Sequence, residues 1–202
     1  MLILNEPVYT SQPRIWHEHD IQVGAFCVIE ASPDHPVCIG AGTKFGHCVI
    51  VSSGVTLAEN VRLDSQSFVG ANTSIGAGSE IHGVKVFRDV HIGQNSFIGG
   101  EVSNWTVIGN EVTFMGRIVH TYRKPGNSDD WRHSSPQPSP QIGDQSVIGE
   151  NALLIGGIKI GARAYVAAGE ILKSHVPDDH IAIKQQILPL SAFRGFITSR
   201  VE

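Results

Sequence analysis

The stretch from Gly116 to Pro140 holds the side chains best suited to chemistry. Imidazole, with an unperturbed pKa of about 6.5, is largely neutral and yet basic near pH 7, so it can transfer protons. A neighbouring carboxylate can orient an imidazole or bind an amino group, and an indole ring can form the wall of a pocket for a sugar or another acceptor. The stretch contains two of the ten histidines with such neighbours: His120, Asp129, Asp130, Trp131 and His133.

Each of these residues also has an ordinary structural interpretation. His120 is compatible with an inward or corner histidine bonded to a backbone carbonyl, and His133 with an exposed loop residue. Asp129 and Asp130 suit a solvated turn. Trp131 suits a contact with a neighbouring subunit. The chemistry therefore depends on the elements that hold this stretch.

A six-residue repeat surrounds the stretch on both sides. A period of six fits neither an α-helix nor a long alternating strand, but it fits a short strand and a tight turn repeated on the faces of a prism. Between the two regular runs the register drops by one to Ile92 and Ile98, and resumes at Ile108 and Phe114 after a skip from Gly99 to Thr106, which indicates a bulged corner or a small insertion. The regular apolar positions are Ile39, Phe45, Val51, Leu57, Leu63, Val69, Ile75, Ile81 and Phe87, then Ile142, Ile148, Leu154, Ile160, Val166 and Leu172.

The repeat predicts an all-β solenoid with a cap at each end. The 22 glycines, against 8 phenylalanines and 2 methionines, favour many turns and short strands. Coils stacked at about 4.8 Å would bury the apolar positions in one narrow core. We expect an N-terminal cap and irregular first coil over 1–36, coils over 37–183 with an extruded loop at 117–141, and a helical cap over 184–202. The helix is predicted from Pro189 to Ile197, with Leu190, Phe193, Phe196 and Ile197 inward.

Composition excludes several classes of function. A formal net charge of −4 provides no basic surface for nucleic acid. The chain has neither about 18 consecutive apolar residues nor a basic, apolar leader, so we expect a cytoplasmic protein with no membrane partner. The three cysteines lack C-x-x-C spacing, which predicts neither a disulfide framework nor a thiolate zinc site.

With its [LIV]-G-x-x-x-x hexads, the sequence resembles the hexapeptide-repeat acyltransferases, whose fold is a left-handed parallel β-helix. The last third resembles the coenzyme A binding end of sugar, serine and antibiotic acetyltransferases. The residues that carry this resemblance are Ile148-Gly149, the run from Ile155 to Gly161, and VAAGEILKSHVPDDHIAI from Val166 to Ile183.

The resemblance implies an acetyl-CoA or other acyl-CoA donor and a set of binding residues. In those enzymes small residues on the final coils let the pantetheine arm lie against the wall, and the matching positions are Gly156, Gly157, Ala167, Ala168 and Gly169. Lys173 is the candidate for the coenzyme phosphates, although it stands one position before the family's lysine. The family's G-x-P-A-K tail is replaced by the residues 184–187, KQQI.

The resemblance also implies a reaction and an assembly. Members carry a histidine at or near such a loop that removes a proton from the attacking hydroxyl or amine, and His120 stands in a comparable position. His133, Trp131, Asp129 and Asp130 would then contact the acceptor, a small polar molecule such as a sugar or nucleotide sugar, with no metal required. Members form homotrimers with sites between subunits.

Two alternatives stay open. One is a non-catalytic β-helix that serves as a scaffold or ligand-binding module, which the altered tail favours. The other is a γ-carbonic-anhydrase-like metalloprotein, for which His82 and His91 could begin a ligand set, although no H-x-x-x-x-H pair follows them.

Overall fold

The computed structural model describes residues 1–119 and 139–193. Its short strands stack coil upon coil into sheets on three faces, as a parallel β-solenoid of about eight turns, consistent with a left-handed β-helix of hexapeptide repeats. Lys44 pairs with Arg62 and Arg62 with Glu80, so a regular coil takes 18 residues, or three hexads. The predicted solenoid is confirmed.

The chain passes from the second face to the third, then to the first, in each coil. The first face holds β1 (Leu2–Leu4), β6 (Val37–Ile39), β9 (Thr56–Leu57), β12 (Ser74–Ile75), β15 (His91–Ile92), β17 (Val107–Ile108), β20 (Gln141–Ile142) and β23 (Lys159–Ile160). The second face holds β3 (Arg14–Trp16), β4 (Ile21–Val23), β7 (Lys44–Phe45), β10 (Arg62–Leu63), β13 (Glu80–Ile81), β16 (Phe97–Ile98), β18 (Thr113–Phe114), β21 (Val147–Ile148), β24 (Tyr165–Val166), β26 (His180–Ile183) and β27 (Gln186–Pro189).

The third face is divided into two sheets. The first has β2 (Val8–Tyr9), β5 (Val28–Ile29), β8 (Ile50–Val51), β11 (Phe68–Val69) and β14 (Lys85–Val86), and the second has β19 (Arg117–Val119), β22 (Leu153–Ile155) and β25 (Ile171–Leu172). In the coil between them only isolated bridges connect the sheets, Val86 to Val102 and Glu101 to Arg117.

The core is a single column of inward aliphatic side chains. The predicted positions from Ile39 to Ile81 are all buried, as are those from Ile142 to Leu172. Buried serine or threonine hydroxyls lie two positions before some of these aliphatic residues. At the corners these hydroxyls form hydrogen bonds with backbone groups. Ser79, for example, donates through Oγ to the carbonyl of Gly93 (2.7 Å) and accepts from the N–H of Ser96 (2.9 Å). Such pairing is needed because a buried polar group without a partner is costly.

Both ends of the solenoid are covered by antiparallel strands. The strands β1, β2 and β3 pair antiparallel with β6, β5 and β4, one on each face of the first coil. At the other end β27 folds back on β26. These strands cover the sheet edges of all three faces at the first coil and of the second face at the last coil, where the edges would otherwise be open to pairing with another chain.

The C-terminal segment differs from the helix expected there. Residues 186–189 form a strand, and the helical part is a 3-10 turn at Leu190–Ala192; a second 3-10 turn lies at His17–His19. Phe193 is half-buried, and the predicted inward residues Phe196 and Ile197 lie outside the described residues. Glu170 contacts the turn between β26 and β27, where its carboxylate accepts hydrogen bonds from the N–H groups of Lys184 and Gln185.

The prediction that Phe87 points inward is wrong. Val86 pairs with Val69 and is fully buried, whereas Phe87 is half-buried. The interval from Ile81 to the next inward residue is therefore five, and the register changes before Phe87. Because successive side chains of a strand point to opposite sides, this one-residue shift turns the ring outward. Val102, which the hexad pattern skipped, is the inward residue at the corresponding position of the third face in the following coil.

Candidate active site

The predicted loop leaves and rejoins the solenoid at one corner. We call the corner between the third and first faces the loop corner. Strand β19 ends there at Val119, and the chain returns through Ser139 into β20. The hydroxyl of Ser139 donates to the carbonyl of Asn104 (2.7 Å), which ties the returning end to the preceding coil. The predicted base and acceptor residues, His120, Asp129, Asp130, Trp131 and His133, lie outside the described residues.

Half of the predicted cofactor residues lie at the same corner. Gly156 and Gly157 are at the loop corner one coil further on, and the exposed Lys173 is there two coils further on. The N–H of Gly156 donates to the carbonyl of Val119 (2.9 Å), and Ile155 pairs with Val119. Gly156 is buried with φ +73, a conformation that favours glycine. This corner therefore stacks directly on the residue that precedes His120.

The other predicted cofactor residues lie across the third face. Ala167, Ala168 and Gly169 are at the corner between the second and third faces, which we call the glycine corner because Gly83, Gly99, Gly100 and Gly116 lie there in earlier coils. Ala168 and Gly169 are exposed, and a Cβ at Gly169 would have nothing within 4 Å. The six predicted residues thus flank the third face from both sides.

An apolar surface lies between these two corners. Val119, Leu153, Ile155 and Ile171 alternate with inward residues and point outward from β19, β22 and β25. Ile171 is 56 % exposed, and the other three are half-buried. Such a wall is suited to an apolar or weakly polar chain lying across the coils, since most of the surface that lines ligand sites is apolar.

Sequence reasoning missed a groove across the third face, beside the loop corner. Two adjoining recesses, of about 420 and 510 Å³, share Glu101 and Arg117. The smaller recess is also lined by Phe87 and Val119, so it reaches the residue before His120. A salt bridge of 3.1 Å joins Arg117 Nη2 to Glu101 Oε2.

The groove results from shortened corners, not from the bulge or insertion that the sequence suggested. The spacing from Ile98 to Val102 is only four positions, and so is the spacing from Phe114 to Ile118, where six would be regular. The backbone can turn so tightly because the glycine corner lacks side chains: a Cβ at Gly100 would be 1.9 Å from the carbonyl oxygen of Gly116. The signal was present in the sequence as irregular spacing, and Phe87 became a groove residue through the same irregularity.

The histidines considered for a metal site lie apart and have other partners. His82 contacts Asp64 through Nδ1 and Glu80 through Nε2, both at 2.9 Å, and its ring packs on Phe97. His91 lies on the first face, with Nδ1 2.7 Å from the hydroxyl of Ser74. Within residues 1–119 and 139–193, no group of three His, Cys, Asp or Glu side chains is arranged to hold a metal ion.

One charge pair perturbs the titration of its members. At the corner between the first and second faces, the Arg163 guanidinium donates to both oxygens of Asp179 (2.6 and 2.7 Å). These hydrogen bonds lower the pKa of the Asp179 carboxyl and raise the pKa of Arg163. Both groups are exposed, so the pair is a surface feature outside the groove.

The repeats match a known family. Residues 68–99 and 141–173 match the sequence model "Hexapeptide repeat of succinyl-transferase". One of these segments precedes the predicted loop in the sequence, and the other follows it. Together with the three-faced solenoid, they show that the fold is a parallel β-helix with hexapeptide repeats.

Similarity to individual proteins extends over most of the chain. It is 27 % identical over 176 residues to the bifunctional protein GlmU of Zymomonas mobilis subsp. mobilis, an alignment that covers 84 % of this chain and 36 % of that protein. The chain therefore spans about a third of that relative. The structure resembles the UDP-N-acetylglucosamine acyltransferases of Francisella novicida (TM-score 0.56, 16 % identity, 84 % of this chain and 63 % of that one) and Campylobacter jejuni (0.55, 17 %, 90 % and 77 %). At these identities the likeness concerns the fold.

No helix within the described ranges combines the length and hydropathy of a membrane span.

Proposed function

We propose that this protein is a coenzyme A dependent acyltransferase. It would transfer an acyl group, which we propose to be acetyl, to a hydroxyl or amino group of a small polar acceptor such as a sugar or nucleotide sugar. The matched repeat is named for a succinyl-transferase, and the two structures of similar fold are acyltransferases that act on a nucleotide sugar. These similarities support the reaction class and leave the acceptor to experiment.

One observation carries the proposal. Val119 is stacked on the predicted cofactor corner through its hydrogen bond from Gly156, and it also lines the groove. Val119, the residue before His120 in the sequence, thus contacts the candidate donor site and also lines the groove, and this supports the choice of His120 as the candidate base.

In the proposed mechanism His120 is a general base in a direct transfer. Its neutral imidazole would accept the proton of the acceptor hydroxyl or amine as that group attacks the thioester carbonyl, and the coenzyme thiolate would leave. The apolar wall and the small residues Gly157, Ala168 and Gly169 would accommodate the pantetheine arm, with Lys173 near the phosphates. His133, Trp131, Asp129 and Asp130 remain candidates for acceptor contacts, and a homotrimer remains the proposed assembly.

Binding of the donor can be tested without knowing the acceptor. Acetyl-CoA should raise the melting temperature increasingly as its concentration passes Kd. Ala168→Glu, which places a charge beside the apolar wall, should weaken binding at least about tenfold. Ala77→Glu, on another corner and about four coils away, serves as the matched control. The absence of any shift at millimolar acetyl-CoA would instead favour the non-catalytic scaffold, which the hairpin in place of the family's tail supports.

A further inference from the structure

We propose that the third face of the first coils is a docking surface for a partner protein, and that it binds a basic amphipathic helix of that partner. This inference is independent of the proposed acyl transfer. It concerns the N-terminal end of the solenoid, whereas the candidate donor site lies on the last coils.

The first argument is a strip of apolar side chains on the outward side of the third face. Of the nine large apolar side chains that are exposed within residues 1–119 and 139–193, six belong to the first 50 residues. Contiguous exposed apolar surface marks an interaction site, whereas scattered single residues do not. Cross-strand pairing places four outward residues in one line over β2, β5, β8 and β11: Tyr9, Val28, Ile50 and Phe68. Tyr9 is 71 % exposed and Ile50 is 39 % exposed.

The second argument is the position of Phe26 beside this apolar strip. Phe26 lies at the glycine corner, where its N–H donates to the carbonyl of Thr10, the residue after Tyr9. Its φ is +58, in the left-handed region that costs an L-residue about 1–2 kcal/mol, and Phe26 is nevertheless 66 % exposed. In later coils Asn151 and Gly169 take left-handed positions at this corner. An aromatic ring that strains the backbone and gains little from burial points to a function.

The third argument is the charge of this end of the solenoid. Residues 1–43 contain five Asp or Glu and one Lys or Arg, whereas residues 44–202 contain fourteen of each, so the first 43 residues carry the whole formal net charge of −4. Glu6, between β1 and β2, and Glu30, directly after β5, lie at the side of the apolar strip that faces the first face. All five carboxylates are exposed, and within the described ranges none forms an ion pair: Glu6, Glu18, Asp20, Glu30 and Asp34.

The apolar strip and the carboxylates together select the partner. The strip crosses four strands, about 15 Å, which about ten residues of α-helix would cover. The apolar face of such a helix would lie on the strip, and lysine or arginine residues along its edge would face Glu6 and Glu30. Nucleic acid and anionic lipid surfaces would be repelled by the same carboxylates.

Peptide binding can be measured by fluorescence anisotropy. The probe is a labelled peptide of about 14 residues, made of leucine and lysine with the leucines on one helical face. The wild type should bind it at least about tenfold more tightly than the same peptide with glutamate in place of lysine. Glu6→Gln/Glu30→Gln should weaken binding about threefold to tenfold, because two exposed ion pairs are lost. Glu111→Gln/Glu150→Gln removes two exposed carboxylates from later coils and should bind as the wild type does.

Phe26→Asn separates docking from a structural role of the ring. This variant should bind the lysine peptide about tenfold more weakly, because an aromatic contact is lost. Its melting temperature should be unchanged or higher, because asparagine tolerates the left-handed conformation. Val107→Ser, which shortens an exposed apolar residue on the first face, should bind as the wild type does.

Any of four results would overturn the assignment. The first is no binding of the lysine peptide by the wild type, as would occur if copies of this chain covered the strip. The second is equal binding of the glutamate peptide. The third is wild-type affinity in Phe26→Asn, or a lower melting temperature of that variant. The fourth is an equal loss of affinity in the two control variants.

Discussion

The corner hydroxyl of Ser79 allows a quantitative test of how the coils hold together. Ser79 is fully buried and belongs to a line of hydroxyls that joins successive coils. Its Oγ donates to the carbonyl of Gly93, accepts from the N–H of Ser96, and thereby satisfies two backbone groups of the next coil. Ser96 repeats the arrangement with Gly109 and Val112.

Ser79→Ala should lower the free energy of unfolding by about 2–3 kcal/mol. Each buried donor or acceptor left without a partner costs about 1–3 kcal/mol, and the N–H of Ser96 contributes more than the carbonyl, which has a second lone pair. Ser79→Thr should retain most of the stability, because Thr43 occupies the corresponding position two coils earlier with its hydroxyl bonded to Gly40. Thr56→Ala, which removes an exposed hydroxyl from the first face, should change stability by less than about 0.5 kcal/mol.

Urea unfolding followed by circular dichroism provides the measurement, with the m-value required to stay constant. If Ser79→Ala unfolds within about 0.5 kcal/mol of the wild type, the hydroxyl does not supply these bonds. If Ser79→Thr is as unstable as Ser79→Ala, volume decides the effect and hydrogen bonding does not.

Three further predictions concern the register, the corners and the surface charges, each measured by unfolding. Val86→Ala should cost about 2 kcal/mol and more than Phe87→Ala, since Val86 is the inward residue; the reverse order would contradict the register. Gly149→Ala should cost about 2 kcal/mol or more, because its Cβ would be 2.5 Å from the backbone nitrogen of Ala168, whereas Gly169→Ala meets only the dihedral cost of about 1 kcal/mol. The pKa of Asp179 is lower in the folded state than in the unfolded state. The stabilisation that the ionised carboxylate provides is therefore present above the unfolded pKa of about 3.9, and it is lost as the pH falls through the folded-state pKa. Asp179→Asn should therefore lose less stability than the wild type on acidification from pH 5 to pH 2, and identical losses would contradict this.

The sequence predicted the solenoid well because its determinants are local and repeated. The hexad positions from Ile39 to Ile81 all follow the same six-residue spacing. Each coil must bury the same kind of inward apolar residue as the coil before it. The errors began where that repetition ended. Phe87 satisfied the hexad by its chemical type, but the five-residue interval after Ile81 moved the inward position to Val86.

The candidate site could be predicted only in part, for a related reason. Gly156 was identified from the resemblance, and its hydrogen bond to Val119 supports its position beside the loop corner. Glu101 and Arg117 belong to no motif, because the groove arises from three-dimensional packing of shortened corners. The C-terminal helix was predicted from apolar spacing at 190–197, whereas the turn of the hairpin before it contacts Glu170, 14 residues upstream of Lys184.

The most direct test of the proposed acyl transfer is the release of free coenzyme A from acetyl-CoA in the presence of a panel of sugar, amino-sugar and amino-acid acceptors, with products detected by mass spectrometry. The proposal predicts that His120→Ala lowers kcat by about 10²-fold or more with unchanged acetyl-CoA affinity, while His35→Ala, an exposed histidine in the first coil, retains wild-type turnover. Wild-type turnover by His120→Ala would contradict the role of His120, and no acceptor-dependent release by the wild-type protein would contradict acyl transfer itself.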